Sequence, residues 1–237
     1  MSRTDARSPH RNPHHGTPRA PRPAALLLSA LLACFAHDAR AGDRWAAELH
    51  LGGAWNLPMP LLIHQDGYED LRFRARWETR AFEMPLYYVG RFVSRSGERG
   101  WMLDLTHHKI HLANPPAEVA SFAVSHGYNL LSLYRLMERD ARRVGFGGGV
   151  VIAHPESDVR GARQDERAGA FGTGYHVSGP SLGALAAWLP ERRQGLYATA
   201  EARLTLSYAG MPVANGHARV PNVALHVTVG AGWEGAR

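Results

Sequence analysis

The chain has 237 residues, with 27 Lys and Arg against 21 Asp and Glu, and a single cysteine. Six of the arginines and two of the acids lie in residues 1–41, so the remainder carries 21 basic against 19 acidic side chains, or +2. That near-balance excludes the basic surface of a nucleic-acid binder. Beyond Cys34 the chain has no thiol, which excludes disulfides, thiolate metal ligands and a thiol nucleophile there.

Residues 1–23 are rich in Arg, His and Pro, and an apolar run, Ala24 to Ala36, follows. The run falls short of the roughly 20 residues that a membrane-spanning helix needs. With Ala39 and Ala41 ahead of Gly42, residues 1–41 have the make-up of a secretory signal peptide with a long basic n-region. A competing reading takes "LLAC", Leu31 to Cys34, as a lipoprotein cleavage box with Cys34 carrying the lipid. Residues 42–237 are expected to form one domain.

From Arg44 the apolar residues recur with period two, the mark of strands with unlike faces. In "WAAELHLGGAW", Trp45, Ala47, Leu49, Leu51 and Trp55 share a face, and Glu48 and His50 lie on the other. "GLYATAEARLTLSY" and "NVALHVTVGAGW" repeat the pattern, with Glu201, Arg203, Thr205 and His226 on the polar side. Trp45 and Trp55 lie ten residues apart, about 33 Å along a strand. A tilt of about 40° turns that into about 25 Å of height, the apolar band of an outer-membrane barrel. The apolar face therefore suits lipid, with tryptophans at both edges as girdles. A soluble barrel would reverse the faces.

Short polar turns are expected at 95–100, 137–143 and 190–195, and long connections at 57–69, 113–120, 155–174 and 209–220. Counting 71–80 and 86–95 separately gives nine strands, whereas bacterial barrels have an even number. Merging the two into one long strand, broken near Glu83–Pro85, restores eight. It leaves Arg72, Arg74, Arg76 and Arg80 outside the membrane. An additional external hairpin is the alternative. The segment 154–174 has the charged, Gly-rich make-up of a mobile external loop, and its "GTG" lacks the strand–helix setting of a phosphate site. The fold expected is all-β: an eight-stranded antiparallel up-and-down transmembrane barrel.

On its leader, girdles, alternation and loop asymmetry, the chain resembles, over about residues 44–234, the small eight-stranded outer-membrane β-barrels. That class includes the OmpA-like transmembrane domains and the lipid A-modifying barrels. The match is one of architecture, and Trp233 is followed by "EGAR" where such barrels end in an aromatic residue. The resemblance implies a bacterial outer-membrane location, passage through the barrel assembly machinery, a monomer, and outer-membrane lipid and lipopolysaccharide as partners. It implies no cofactor.

Face assignment supplies the candidate residues. Glu48, His50, Arg91, Asp104, Glu201, Arg203 and His226 should line the lumen as a network of paired charges, since buried charges need partners. In "LTHHKIHLANPP" (Leu105 to Pro116), His107, Lys109 and His111 continue the lipid face above the apolar band, where they could pair with lipopolysaccharide phosphates. His107 and His111 are about 13 Å apart on a strand, too far to share a metal ion, so no metal site is expected from this cluster, although His126, His154 or His176 could build one with residues from other strands. His108 faces inward. Pairing Leu112 with Ser121 would set His108 opposite Ser125 and Asp104 opposite Asn129, with Tyr128 and Tyr134 on the lipid face. His108 and Ser125 would then be raw material for acyl transfer, with Asn129 as an oxyanion donor. Three functions remain open: a structural, surface or lipopolysaccharide-interacting barrel without an open pore; a lipid A acyl hydrolase or acyltransferase; and a periplasmic or lipid-anchored soluble barrel that binds a small apolar ligand.

Overall fold

The structure is a computed structural model. It describes residues 44–235 except 166, 168, 170, 171 and 191–194, so the leader and Cys34 lie outside the described residues. The strands, in chain order, are β1 (Arg44–Asn56), β2 (Met59–Gln65), β3 (Leu71–Ala75), β4 (Trp77–Glu78), β5 (Tyr88–Ser96), β6 (Arg99–His107), β7 (Ile110–Leu112) and β8 (Val119–Val124). They continue as β9 (Tyr128–Arg139), β10 (Arg142–Ala153), β11 (Glu156–Val159), β12 (Ala162–Arg163), β13 (His176–Trp188), β14 (Leu196–Val213) and β15 (Gly216–Glu234).

Strands β1, β5, β6, β9, β10, β13, β14 and β15 pair in that order, each antiparallel to the next, and β15 returns to β1. The barrel thus closes with eight strands, which removes every free edge within it. Of the two readings of 71–95, the external hairpin is the one observed. β5 alone serves the barrel, and β3 folds back on β2, with Leu62 opposite Arg72. β2 in turn pairs with the start of β15, with Leu62 opposite Arg219.

The connections at 97–98 and 140–141 are tight, and β1 begins at the same end, where Arg44 and Arg95 both pair with Glu234. The expected long loop at 209–220 is not a loop. β14 and β15 run on for 18 and 19 residues and turn at Ala214–Asn215. The two prolines of this stretch sit where no ladder bond is lost. Pro212 lies beyond Ser207, where β13 stops pairing with β14, and Pro221 falls between the stretches of β15 that pair with β2 and β1.

The barrel's outer surface is an exposed apolar band. Leu49, Leu51, Leu103, Leu105, Phe146, Leu182, Leu204, Leu206, Leu225, Val227 and Val229 all face outward. Trp55, Trp188 and Trp233 are exposed in the same way, and Trp45 packs edge-on against Trp233, ring centroids 4.9 Å apart. On β14 the band runs from Leu196 to Tyr208, about 40 Å of strand and about 30 Å of height at a tilt of about 40°.

Beyond the band stands a second layer. β12, β11, β8, β7 and β4 form a five-stranded sheet in that order. With β2, β3 and the extensions of β14 and β15 it encloses an apolar core of its own. Leu61, Ile63, Trp77, Ile110, Phe122, Val124, Met211, Val213 and Val220 are buried there, and the Trp77 and Phe122 rings meet at 5.9 Å. The connections expected as loops therefore build a two-layer cap. The segment 154–174, expected as a mobile loop, supplies β11 and β12. A separate apolar cluster at the short-turn end, including Met102, Tyr134, Leu136, Leu185 and Tyr197, closes the other end of the lumen.

Candidate functional site

All seven side chains expected in the lumen are buried there: Glu48, His50, Arg91, Asp104, Glu201, Arg203 and His226. Arg91 is the hub. Its Nε donates to Asp104 Oδ2 at 2.7 Å, and its two terminal nitrogens clamp Glu201 at 2.8 and 2.5 Å. Arg203 pairs with the other oxygen of Asp104 at 2.7 Å and donates to Thr106 at 2.6 Å. Three members escaped the sequence reading. Arg143 donates to Glu48 at 2.6 Å and to Glu138 at 3.0 Å, and the Tyr197 hydroxyl donates to Glu48 at 2.6 Å. Each buried carboxylate meets a guanidinium or a hydroxyl, as burial requires.

Above the charges lies an aromatic layer. Tyr87 is hydrogen-bonded to His226 Nδ1 at 2.8 Å, and Thr205 to His226 Nε2 at 2.8 Å. The His108 ring packs against His226 at 5.0 Å and Tyr128 at 5.9 Å. His108 is therefore inward, as expected, but its polar neighbour is Thr79, 3.4 Å from Nε2.

Ser125 is not that neighbour. Its hydroxyl donates to Glu156 at 2.5 Å. Asn129 faces the outside of the barrel, where its side-chain oxygen accepts from His107 Nδ1 at 2.8 Å. The three candidate catalytic residues thus occupy three different places. The register explains it. β6 and β9 pair Asp104 with Ser132 and Thr106 with Leu130, not Asp104 with Asn129. In β7 and β8, His111 pairs with Ala123, one residue off the expected alignment. Such a shift exchanges the faces. Tyr128 and Tyr134, expected toward lipid, are fully buried inside.

The outward cluster also differs from expectation. Lys109 is buried, and its amine donates to the backbone oxygen of Glu83 at 2.6 Å. His107 stacks on Tyr88 at 5.0 Å. His111 is half-buried with Nε2 enclosed and unpartnered, and burial, followed by Arg80 and Lys109, holds its imidazole below the usual range. None of the three presents a free cation to a headgroup. The Glu83 carbonyl that takes up Lys109 belongs to the linker 79–87, a contact that strand alternation could not reveal.

A different group assembles at the rim, where the cap joins the barrel. His126 lies in the link from β8 to β9, and His154 in the link from β10 to β11. Glu156 opens β11. His126 Nδ1 donates to Glu156 Oε1 at 2.6 Å, and His154 Nδ1 stands 3.7 Å from the same oxygen. Burial pushes the Glu156 carboxyl up, but the hydrogen bonds from Ser125 and His126 outweigh it and hold it below the usual carboxylate range. The sequence reading singled out His126 and His154 without a carboxylate to join them. Glu156 belongs to the stretch expected as a loop.

No family model and no curated protein matches the sequence. Among solved structures, the chain is similar to the outer membrane protein OprG from Pseudomonas aeruginosa, with 11% identity over 84% of this chain and 98% of that one, at a TM-score of 0.47. It is also similar to Ail, the attachment invasion locus protein of Yersinia pestis, with 9% identity over 83% and 100%, TM-score 0.39. The outer membrane protein AlkL is similar at 12% identity over 85% and 96%, TM-score 0.43. The likeness is one of architecture. The chain is a closed eight-stranded antiparallel barrel, and its closure stands on its own strand pairing.

Proposed function

We propose that the protein is an integral outer-membrane barrel that carries a rigid external cap, conducts no open aqueous path, and engages lipopolysaccharide at its outer face. One observation carries the membrane reading: charge lies inside the barrel and leucine, valine and tryptophan outside. In water that surface would be a large aggregation site; in a bilayer it is matched to hydrocarbon. The same observation disfavours a soluble ligand-binding barrel, whose lumen should be apolar and have room for a ligand. The acyl-transfer reading loses its His–Ser pair. Cell fractionation tests the reading. The protein should leave the membrane pellet only with detergent, and its gel mobility should change on boiling. Recovery in a detergent-free soluble fraction would overturn it.

Support for the lipopolysaccharide contact moves from the histidine cluster to the outward side of the β2–β3 hairpin. Arg72 and Arg219 flank Leu62 on neighbouring strands. They share a shallow hollow with Phe73 and Tyr208 just above the apolar band. Guanidinium groups over an aromatic girdle suit the phosphates of the outer leaflet. Arg72→Glu combined with Arg219→Glu should reduce the lipopolysaccharide that copurifies with the folded barrel. An unchanged amount would remove this role and leave the barrel assignment standing.

A further inference from the structure

We propose that His126, His154 and Glu156 form a binding site for a divalent transition metal ion of the zinc type, at the outer rim where the cap meets the barrel. Their ligand atoms all lie within 4.8 Å of one another. A tetrahedral ion with bonds of about 2.0–2.1 Å sets its ligands about 3.3 Å apart. The 2.6 Å separation of His126 Nδ1 and Glu156 Oε1 has to widen slightly, and the 3.7 Å separation of His154 Nδ1 and the same oxygen has to close slightly. Small side-chain rotations accomplish both, and the metal takes the place of the proton that now lies between His126 and Glu156.

The hydrogen bond between His126 and Glu156 is by itself an ordinary surface pair. His154 is what it leaves unexplained. That residue is 8% exposed, and its Nδ1 is enclosed without a hydrogen-bond partner. A buried imidazole nitrogen aimed at a carboxylate oxygen, yet beyond hydrogen-bonding distance, has the geometry of a ligand. The surroundings are those of a held site. Ser125 donates to Glu156 at 2.5 Å, and the Tyr175 hydroxyl donates to the backbone oxygen of His126 at 2.9 Å. Such outer contacts orient ligands.

The backbone is equally fixed. His154 N donates to Gly127 O at 3.1 Å. The two links are pinned on the barrel side by the pairing of Tyr128 with Ala153, and on the cap side by that of Ala123 with Glu156. His107 lines the hollow next to His126. Its Nδ1 hydrogen is engaged by Asn129, and its Nε2 is enclosed and unpartnered. Two imidazoles and one carboxylate favour zinc, copper or nickel. Calcium and magnesium ask for six or more oxygens. A bound ion would tie both links together and fasten the cap to the barrel.

The test is calorimetric titration of the full chain, folded in detergent micelles and stripped with a chelator, using zinc chloride and, separately, calcium and magnesium chloride. One zinc ion per chain should bind with micromolar or tighter affinity, with no comparable calcium or magnesium binding. His154→Ala and Glu156→Gln should each weaken zinc binding by about tenfold or more, and heat-modifiable gel mobility should show that each variant keeps its barrel. The exposed His126→Ala variant provides a second reading that burial does not complicate. Unchanged zinc affinity in these folded variants, absence of saturable binding, or equal affinity for calcium would overturn the proposal.

Discussion

Replacing Arg91 by methionine keeps most of the side-chain volume and removes the charge. The structure shows what is left behind. Asp104 keeps Arg203 at 2.7 Å, and Glu48 keeps Arg143 at 2.6 Å. Glu201 loses both short bonds and, among the described residues, retains only Arg203 Nε at 3.9 Å. One carboxylate is then buried almost alone, a loss of about 3–5 kcal/mol. Adding Glu201→Gln removes the orphaned charge, so the double variant should recover part of the loss, with a coupling energy of about 2–3 kcal/mol. The measurement is equilibrium urea unfolding from lipid vesicles followed by tryptophan fluorescence, with the denaturant slope checked for constancy. A cost for Arg91→Met below about 1 kcal/mol, or strict additivity with Glu201→Gln, would refute the view that the lumen is held by a tightly coupled ion network.

Leu204→Arg places a charge near the middle of the apolar band and should destabilise the barrel in vesicles by about 2–4 kcal/mol; a neutral result would argue against a lipid-facing Leu204. Gly183 lies under the Tyr134 ring, so that a Cβ there would sit 2.2 Å from the Tyr134 hydroxyl oxygen. Gly183→Val should cost about 1–3 kcal/mol by overpacking, and Tyr134→Leu should relieve part of it in the same unfolding assay. Phe122→Ala removes a ring from the cap core and should cost about 3–5 kcal/mol. Hydrogen exchange should quicken in 59–75, 110–124 and 156–163 while 196–206 stays protected; uniform quickening would mean that cap and barrel unfold as one unit.

Where alternation is strict, side-chain direction was legible from sequence. β1, β14 and β15 carry small or apolar residues on one face and charge on the other, and every lumen residue assigned from them points inward. β9 defeated the same reasoning. In "YNLLSLYRL" both faces are apolar, so nothing in the segment says which is inside, and Tyr128 and Tyr134 came out reversed. What settles Tyr134 lies on other strands. Gly147 stands opposite it, and Gly183 lies next across the sheet, which leaves room for a ring that only the register discloses. Arg143 and Glu138 were hidden for another reason. They flank a tight turn at 140–141 and read as its polar residues, whereas Arg143 reaches into the lumen to Glu48 and holds Glu138 behind it. The rim triad was half visible: His126 and His154 stood out, but the sequence could not show that Glu156 stands between them.

The cap, too, has a signature in the sequence, and it lies in β14. Along its inner face the residues run Thr199, Glu201, Arg203, Thr205, Ser207 and then Ala209, Met211, Val213, all buried. Along its outer face they run Leu204, Leu206, Tyr208 and then Gly210, Pro212. Both faces change character at the same level: the inside turns from polar to apolar as the outside ceases to be apolar. A strand that merely overhung the barrel would have no reason to become apolar on its inner side. A strand that enters a second, water-surrounded core must do so, because there the inward face is the one hidden from solvent. The exchange at Tyr208–Ala209 therefore marks the upper edge of the apolar band and the floor of the cap together. The lid of the lumen sits at this height. Tyr128 is hydrogen-bonded to Ser207 at 3.0 Å, and the Tyr128 ring packs on His108 beneath the cap core. The residues that close the lumen thus also found the cap, so neither layer can be removed without exposing buried groups of the other.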